Sequence, residues 1–72
     1  MSAANRKDAV ELIQRAARAA RMTSKQAASF LECDESDASD AVENLAMSAH
    51  ARGLSAGMTE DEMTDVYTNT SR

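Results

Sequence analysis

The chain has 72 residues and a net charge of −4, with no proline, two glycines and a single cysteine. This length predicts one domain, residues 1–72, and a single cysteine excludes an internal disulfide. No apolar run approaches the ~18 residues of a membrane-spanning helix and the first residues lack a signal-peptide core, so we expect a cytoplasmic protein, in the host cell if the gene is viral.

The composition favours an all-α fold, because alanine, glutamate, arginine and methionine are frequent helix formers. Four possible helix starts share one signal, in which a capping residue is followed three positions later by Asp, Gln or Glu. These pairs are Asn5/Asp8, Thr23/Gln26, Asp34/Asp37 and Thr59/Glu62. With apolar stripes at helical spacing, they predict a compact bundle of about four short helices over about 6–21, 24–32, 35–51 and 60–68, followed by a frayed tail over 69–72.

The first predicted helix carries most of the positive charge. Residues 1–25 hold six of the eight basic residues, whereas residues 26–51 hold none. Its apolar stripe is mostly alanine, which buries little area, so we expect a marginally stable monomer that forms a homodimer or is stabilised by a partner. The basic side chains that are candidates for contact with nucleic acid are Lys7, Arg15, Arg18 and Arg21.

The second and third predicted helices carry a family resemblance. A short helix with two small residues is followed by a tight turn and a helix with spaced core positions; the residues concerned are Ala27, Ala28, Glu32, Cys33, Asp34, Ala38, Ala41 and Val42. Residues 24–45 resemble a DNA-binding helix-turn-helix, which implies a helix-turn-helix-like centre in the bundle. Glu32 occupies the turn position where that family usually has glycine, which leaves the type of turn open.

The helix that reads DNA in that family is acidic here. It presents Glu35, Asp37, Asp40 and Glu43, and no nearby base neutralises the phosphates that flank a major groove. We therefore predict a small non-enzymatic regulator or inhibitor whose acidic helical face binds a protein, such as one that normally binds nucleic acid. The alternative is a transcription regulator that contacts DNA through its basic first helix as a dimer.

Met47 lies on the same outer face when Asp40 is placed at its centre. A flexible apolar side chain among carboxylates suits a surface that adapts to a partner, although the fourth helix or a dimer mate would equally cover it. Beyond this face, Gly53 is expected to end the helix as a left-handed cap, with Leu54 folding back onto the last turn. The residues predicted to bind a partner are Glu35, Asp37, Asp40, Glu43, Asn44 and Met47.

A second resemblance points to another functional class. The stretch ASFLEC…DASDAVENLAM is similar in rhythm to acyl carrier proteins, which are small acidic four-helix domains. Asp37 corresponds to the aspartate of that family's attachment motif, whereas Ala38 stands where the family has its attachment serine. The resemblance therefore implies a carrier-like domain that is unable to hold phosphopantetheine at this position.

No residue pattern in the sequence is typical of an enzyme, a cofactor site or a metal site. Cys33 and His50 are the two soft ligand or nucleophile candidates, and they lie on different predicted elements without a third partner. The acidic run lacks the twelve-residue loop and turn glycine of a calcium site. We expect no enzymatic activity, no cofactor and no bound metal.

Overall fold

Four α-helices make up the part of the chain described by this computed structural model, residues 3–70. The helices span Ala3–Ala20 (α1), Ser24–Leu31 (α2), Ala38–Ser55 (α3) and Glu60–Thr70 (α4), and a single 3-10 turn over Glu35–Asp37 leads into α3. These residues contain no strand. The predicted all-α class and number of helices are confirmed.

Helix α1 is the central element, since it packs against each of the other three helices and most extensively against α3. The main hydrophobic cluster joins α1, α3 and α4 around Ile13, Ala49 and Met63. A smaller cluster around Ala27 and Ala38 joins α2 to the start of α3. Most of the buried apolar residues are alanines, so the helices approach closely while little apolar area leaves water.

Two of the four predicted capping boxes form. The Thr23 hydroxyl accepts a hydrogen bond from the Gln26 N–H at 3.1 Å, and the Gln26 side chain accepts one from the Thr23 N–H at 3.1 Å. At the start of α4, the Thr59 hydroxyl accepts from the Glu62 N–H at 3.2 Å, and the Glu62 carboxylate accepts from the Thr59 N–H at 2.9 Å. Each box satisfies backbone donors that the first turn of a helix leaves unpaired.

The other two predicted helix starts differ from the structure. Helix α1 begins at Ala3, so Asn5 lies inside the helix and is not its cap. The Asp34 side chain makes no capping hydrogen bond, and the residues after it form the 3-10 turn before α3 begins at Ala38. Helix α4 continues to Thr70, so residues 69 and 70 of the predicted frayed tail are helical, while residues 71–72 lie outside the described part.

The prediction that Gly53 ends the third helix was wrong. Helix α3 continues to Ser55, and Gly53 is buried within it. Helix α4 crosses at this point, where a Cβ on Gly53 would overlap the Sδ of Met63 and lie 3.0 Å from its Cγ. The left-handed conformation occurs instead at Gly57, with a φ of 82°. Leu54 does not fold back, since it is 50% exposed.

The turn between α2 and the 3-10 segment is left-handed at Glu32, with a φ of 56°. The Cys33 N–H donates to the Ala28 carbonyl at 2.9 Å, which closes the end of α2 as in a Schellman motif. Glu32 therefore adopts the conformation that glycine usually adopts at such a helix end. For a residue with a Cβ, the left-handed conformation costs about 1–2 kcal/mol.

Replacing Glu32 by glycine should therefore raise the free energy of unfolding by about 1 kcal/mol, because glycine adopts this conformation without steric cost. Urea denaturation followed by circular dichroism measures the change. The matched control is Glu43→Gly at an exposed position inside α3, where glycine should lower stability by about 0.5–1 kcal/mol. A loss of stability in both variants would contradict the strain at Glu32.

Candidate functional site

The residues predicted to bind a partner form one exposed surface, here called the acidic face. The 3-10 turn and the first three turns of α3 supply its members, which are Glu35, Asp37, Asp40, Glu43, Asn44 and Met47. All six side chains are exposed. Among the described residues, the ion pairs of the protein involve Arg6 and His50 and none involves this face. Its four carboxylates therefore remain available to an external cation.

Met47 is the most exposed large apolar side chain among the described residues, with 63% of its surface accessible. The alternative that the fourth helix covers it was wrong, because α4 packs on another side of α3, where Met63 meets Gly53. Cover by a dimer mate stays a prediction. An accessible methionine surrounded by carboxylates provides an apolar contact that adapts to the shape of a partner.

The apolar part of this surface extends further along α3 than the sequence predicted. Leu54 is 50% exposed and lies seven residues after Met47, which places both on the same side of the helix. Sequence reasoning missed it because Gly53 was interpreted as the end of the helix. The sequence does contain a signal for it, because Met47, Ala51 and Leu54 follow one another at the i, i+4, i+7 spacing of a single helix face.

The basic candidates on α1 and at Arg21, directly after its end, are not all free to bind another molecule. The Arg15 guanidinium lies 4.4 Å from the centroid of the Phe30 ring and donates a hydrogen bond to the Phe30 carbonyl at 3.3 Å. Arg15 thus ties α1 to α2 through a cation–π contact. Lys7, Arg18 and Arg21 are exposed. The structure therefore divides the predicted basic set into one intramolecular contact and three exposed cations.

The chain matches no protein-family model, curated protein or solved structure in the comparisons made with it. None of the helices within residues 3–70 is both long and apolar enough to cross a bilayer.

The two soft ligand candidates lie in different environments. Cys33 is half-buried against the smaller hydrophobic cluster. His50 is exposed, and its Nε2 lies 2.7 Å from the Glu60 Oε1, which links α3 to α4. Within residues 3–70, no three His, Cys, Asp or Glu side chains form a group that could hold a metal ion. Ala38, the position of the attachment serine in the acyl-carrier resemblance, is 1% exposed and therefore inaccessible to a transferase.

Glu62 has an altered titration behaviour. The hydrogen bond from the Thr59 N–H and the neighbouring Arg6 guanidinium stabilise its carboxylate and lower its pKa below the ordinary glutamate value. Arg6 donates to this carboxylate, which connects α1 to the start of α4. The group that caps α4 therefore also joins that helix to the central one.

Acid should weaken this connection. Because the pKa of Glu62 is lower in the folded than in the unfolded state, its contribution to stability is complete above about pH 4.5 and disappears as the pH falls through the folded-state pKa. Thermal melts between about pH 7 and about pH 3 should therefore show a wild-type advantage over Glu62→Gln that shrinks with acid. The matched control is Asp65→Asn, which removes an exposed carboxylate from the same helix without breaking the capping box or the contact with Arg6. Parallel pH profiles for the wild type and Glu62→Gln would contradict this prediction.

Proposed function

We propose that this protein is a small non-enzymatic regulator or inhibitor that binds a protein partner through the acidic face. The observation that carries the proposal is the exposure of Met47, 63%, within a surface of carboxylates that have no ion-pair partner among the described residues. Protein interfaces have an apolar core, in which methionine is enriched, and a polar rim. The partner therefore presents a basic surface, such as one that otherwise holds nucleic acid.

The charged and the apolar residues of the acidic face are expected to affect different rate constants of binding. Carboxylates steer a basic partner over a distance set by the Debye length, about 8 Å at physiological salt, and so raise the association rate. An apolar side chain that becomes buried acts after contact and slows dissociation. Asp40 and Glu43 are assigned the first role and Met47 the second.

Binding kinetics test this assignment with a partner captured from a native lysate and identified by mass spectrometry. Asp40→Asn combined with Glu43→Gln should slow association and flatten its dependence on salt, because the steering charges are lost. Met47→Ala should instead raise the dissociation rate and cost on the order of 1–2 kcal/mol of binding energy. Surface plasmon resonance measures both rates.

The chain offers a matched control for the charge change. Asp8→Asn combined with Glu11→Gln removes the same two charges at the same spacing from an exposed part of α1. This variant should associate like the wild type if the acidic face is the binding surface. The proposal is contradicted if the Asp40/Glu43 and Met47 variants keep their helicity by circular dichroism and bind with wild-type kinetics. The binding surface would then lie outside α3.

The second proposal is that the protein regulates transcription by binding DNA as a dimer, and the exposure of Lys7 and Arg18 on α1 and of Arg21 directly after it favours it. If the acidic face binds a protein, as proposed first, duplex DNA should not change the electrophoretic mobility of this protein at physiological salt. The reason is that α3 presents carboxylates to the phosphates. A sequence-specific complex that weakens steeply with salt and is lost in Arg18→Ala/Arg21→Ala would favour DNA binding instead.

A further inference from the structure

A small apolar cavity opens between α1, α3 and α4. Its volume is about 200 Å³, and Ile13 of α1, Ala49 of α3 and Met63 of α4 form its floor. These three residues are buried, with at most 6% of their surface exposed. The cavity is thus a gap in the main hydrophobic cluster of the protein. Its floor is entirely apolar.

The size and lining of the cavity favour an aromatic side chain. A dry apolar cavity of ~150 Å³ accepts a benzene ring, whereas pockets for complete small-molecule ligands start at roughly 300 Å³. Met63 supplies a thioether and Tyr67 supplies an aromatic ring to the lining. Sulfur–aromatic and aromatic–aromatic contacts both stabilise a ring beyond the effect of its buried area.

The rim of the cavity carries one carboxylate. His50 and Glu60 line it, with the Nε2 of His50 2.7 Å from the Oε1 of Glu60. The Glu60 side chain is 71% exposed. An exposed carboxylate at the rim favours a ligand that carries positive charge beside its ring.

The cavity also adjoins the acidic face. Ala46 lines the cavity and directly precedes Met47, and His50 follows Met47 by three residues on the same side of α3. A partner segment that contacts Met47 is therefore within reach of the opening. We infer that the cavity receives one aromatic side chain from a lysine- or arginine-rich segment of the partner protein. This inference rests on the proposed function and adds to it the kind of segment that is recognised.

The probe for this site is phenethylammonium, which joins an aromatic ring to a cation. In an NMR titration of the isotope-labelled full chain, it should produce saturable shifts at Ala46, Ala49 and Tyr67. Its Kd should be at least about tenfold lower than that of ethylammonium, which lacks the ring. Ala46→Leu places a larger side chain on the cavity wall and should raise the Kd for phenethylammonium at least about tenfold. Ala20→Leu, the same change at an exposed position of α1 outside the cavity, should leave it unchanged.

Three results of the titration would overturn the inference. They are shifts that do not saturate, an equal Kd for the two ammonium probes, and an equal phenethylammonium Kd in Ala46→Leu and the wild type. Cavity resonances that move when the protein alone is diluted would identify a second copy of the chain as the occupant, which also overturns it. The probe contains no partner protein, so its failure is distinguishable from failure of the proposed function, which the association rates of the Asp40 and Glu43 variants decide separately.

Discussion

Replacing Ile13 by alanine should abolish the cooperative unfolding transition of the isolated protein. Ile13 is 4% exposed and belongs to the main hydrophobic cluster, whose other buried members are alanines apart from Met58 and Met63. Truncating a buried isoleucine costs about 2–5 kcal/mol. A domain of this length has only about 3–5 kcal/mol of stability from its core, so the expected loss is comparable to the whole.

Far-ultraviolet circular dichroism during a thermal scan measures this effect. The matched control is Leu54→Ala, an aliphatic truncation on α3 at a side chain that is 50% exposed, which should change stability by no more than about 0.5 kcal/mol. A cooperative melt of Ile13→Ala close to that of the wild type would show that the cluster tolerates the deletion. If that melt rises with protein concentration, the predicted homodimer supplies the missing stability.

The sequence predicted those features of the fold whose physical causes are local. The capping boxes at Thr23 and Thr59 were found because both partners of each box lie three residues apart. The alanine stripe of α1 follows from the helical period, and the structure buries Ala9, Ala16 and Ala17 of it, although Ala20 at its end is exposed. Such signals are read from a short window without knowledge of where the other helices lie.

Contacts between distant residues were outside the reach of the same reasoning. Arg15 and Phe30 are 15 residues apart, His50 and Glu60 are 10 apart, and Arg6 lies 56 residues before its carboxylate partner. Residue types alone do not select these pairs, since each side chain has several candidate partners. Arg15 was therefore assigned to a free basic surface, although its guanidinium stacks on an aromatic ring of the neighbouring helix.

The acidic face was predicted at the level of position, and its function stays a prediction. The helical period placed Asp40, Glu43 and Met47 on one side of α3, and the structure leaves all three exposed. The cavity beside this face was not predicted, because it is formed by residues of three helices whose packing no local pattern describes. A charged surface is readable from sequence, whereas an apolar recess between helices requires the tertiary structure.

Gly53 shows why one sequence signal has two structural meanings. A glycine near the end of an apolar stripe is typical of a left-handed helix cap, and it is equally typical of a close approach between helices. Here the second meaning applies, since the Met63 side chain occupies the space where a Cβ would lie and Ile13 Cδ1 is 3.6 Å from that position. The helix consequently continues past the glycine to Ser55.

The effect of Gly53→Ala should accordingly change sign with the residue at position 63. In the wild-type background the new methyl group displaces Met63 from a packed site, which costs about 1–3 kcal/mol and exceeds the gain of up to about 1 kcal/mol in helix propensity. In a Met63→Ala background the space is free, so the same substitution should stabilise the protein by about 0.5–1 kcal/mol. Urea denaturation of the wild type, both single variants and the double variant gives the coupling energy, which we expect to be at least about 1 kcal/mol.

The Met63→Ala background is itself destabilised. Truncating a buried methionine lowers the free energy of unfolding by about 2–5 kcal/mol and leaves little folded protein to titrate. Stabilising the native state with an osmolyte such as trimethylamine N-oxide keeps all four proteins folded at the start of the titration. Equal effects of Gly53→Ala in the two backgrounds would mean that α4 does not constrain this position. A change of sign would instead establish that close approach of α4, and not the end of α3, is the reason for glycine at position 53.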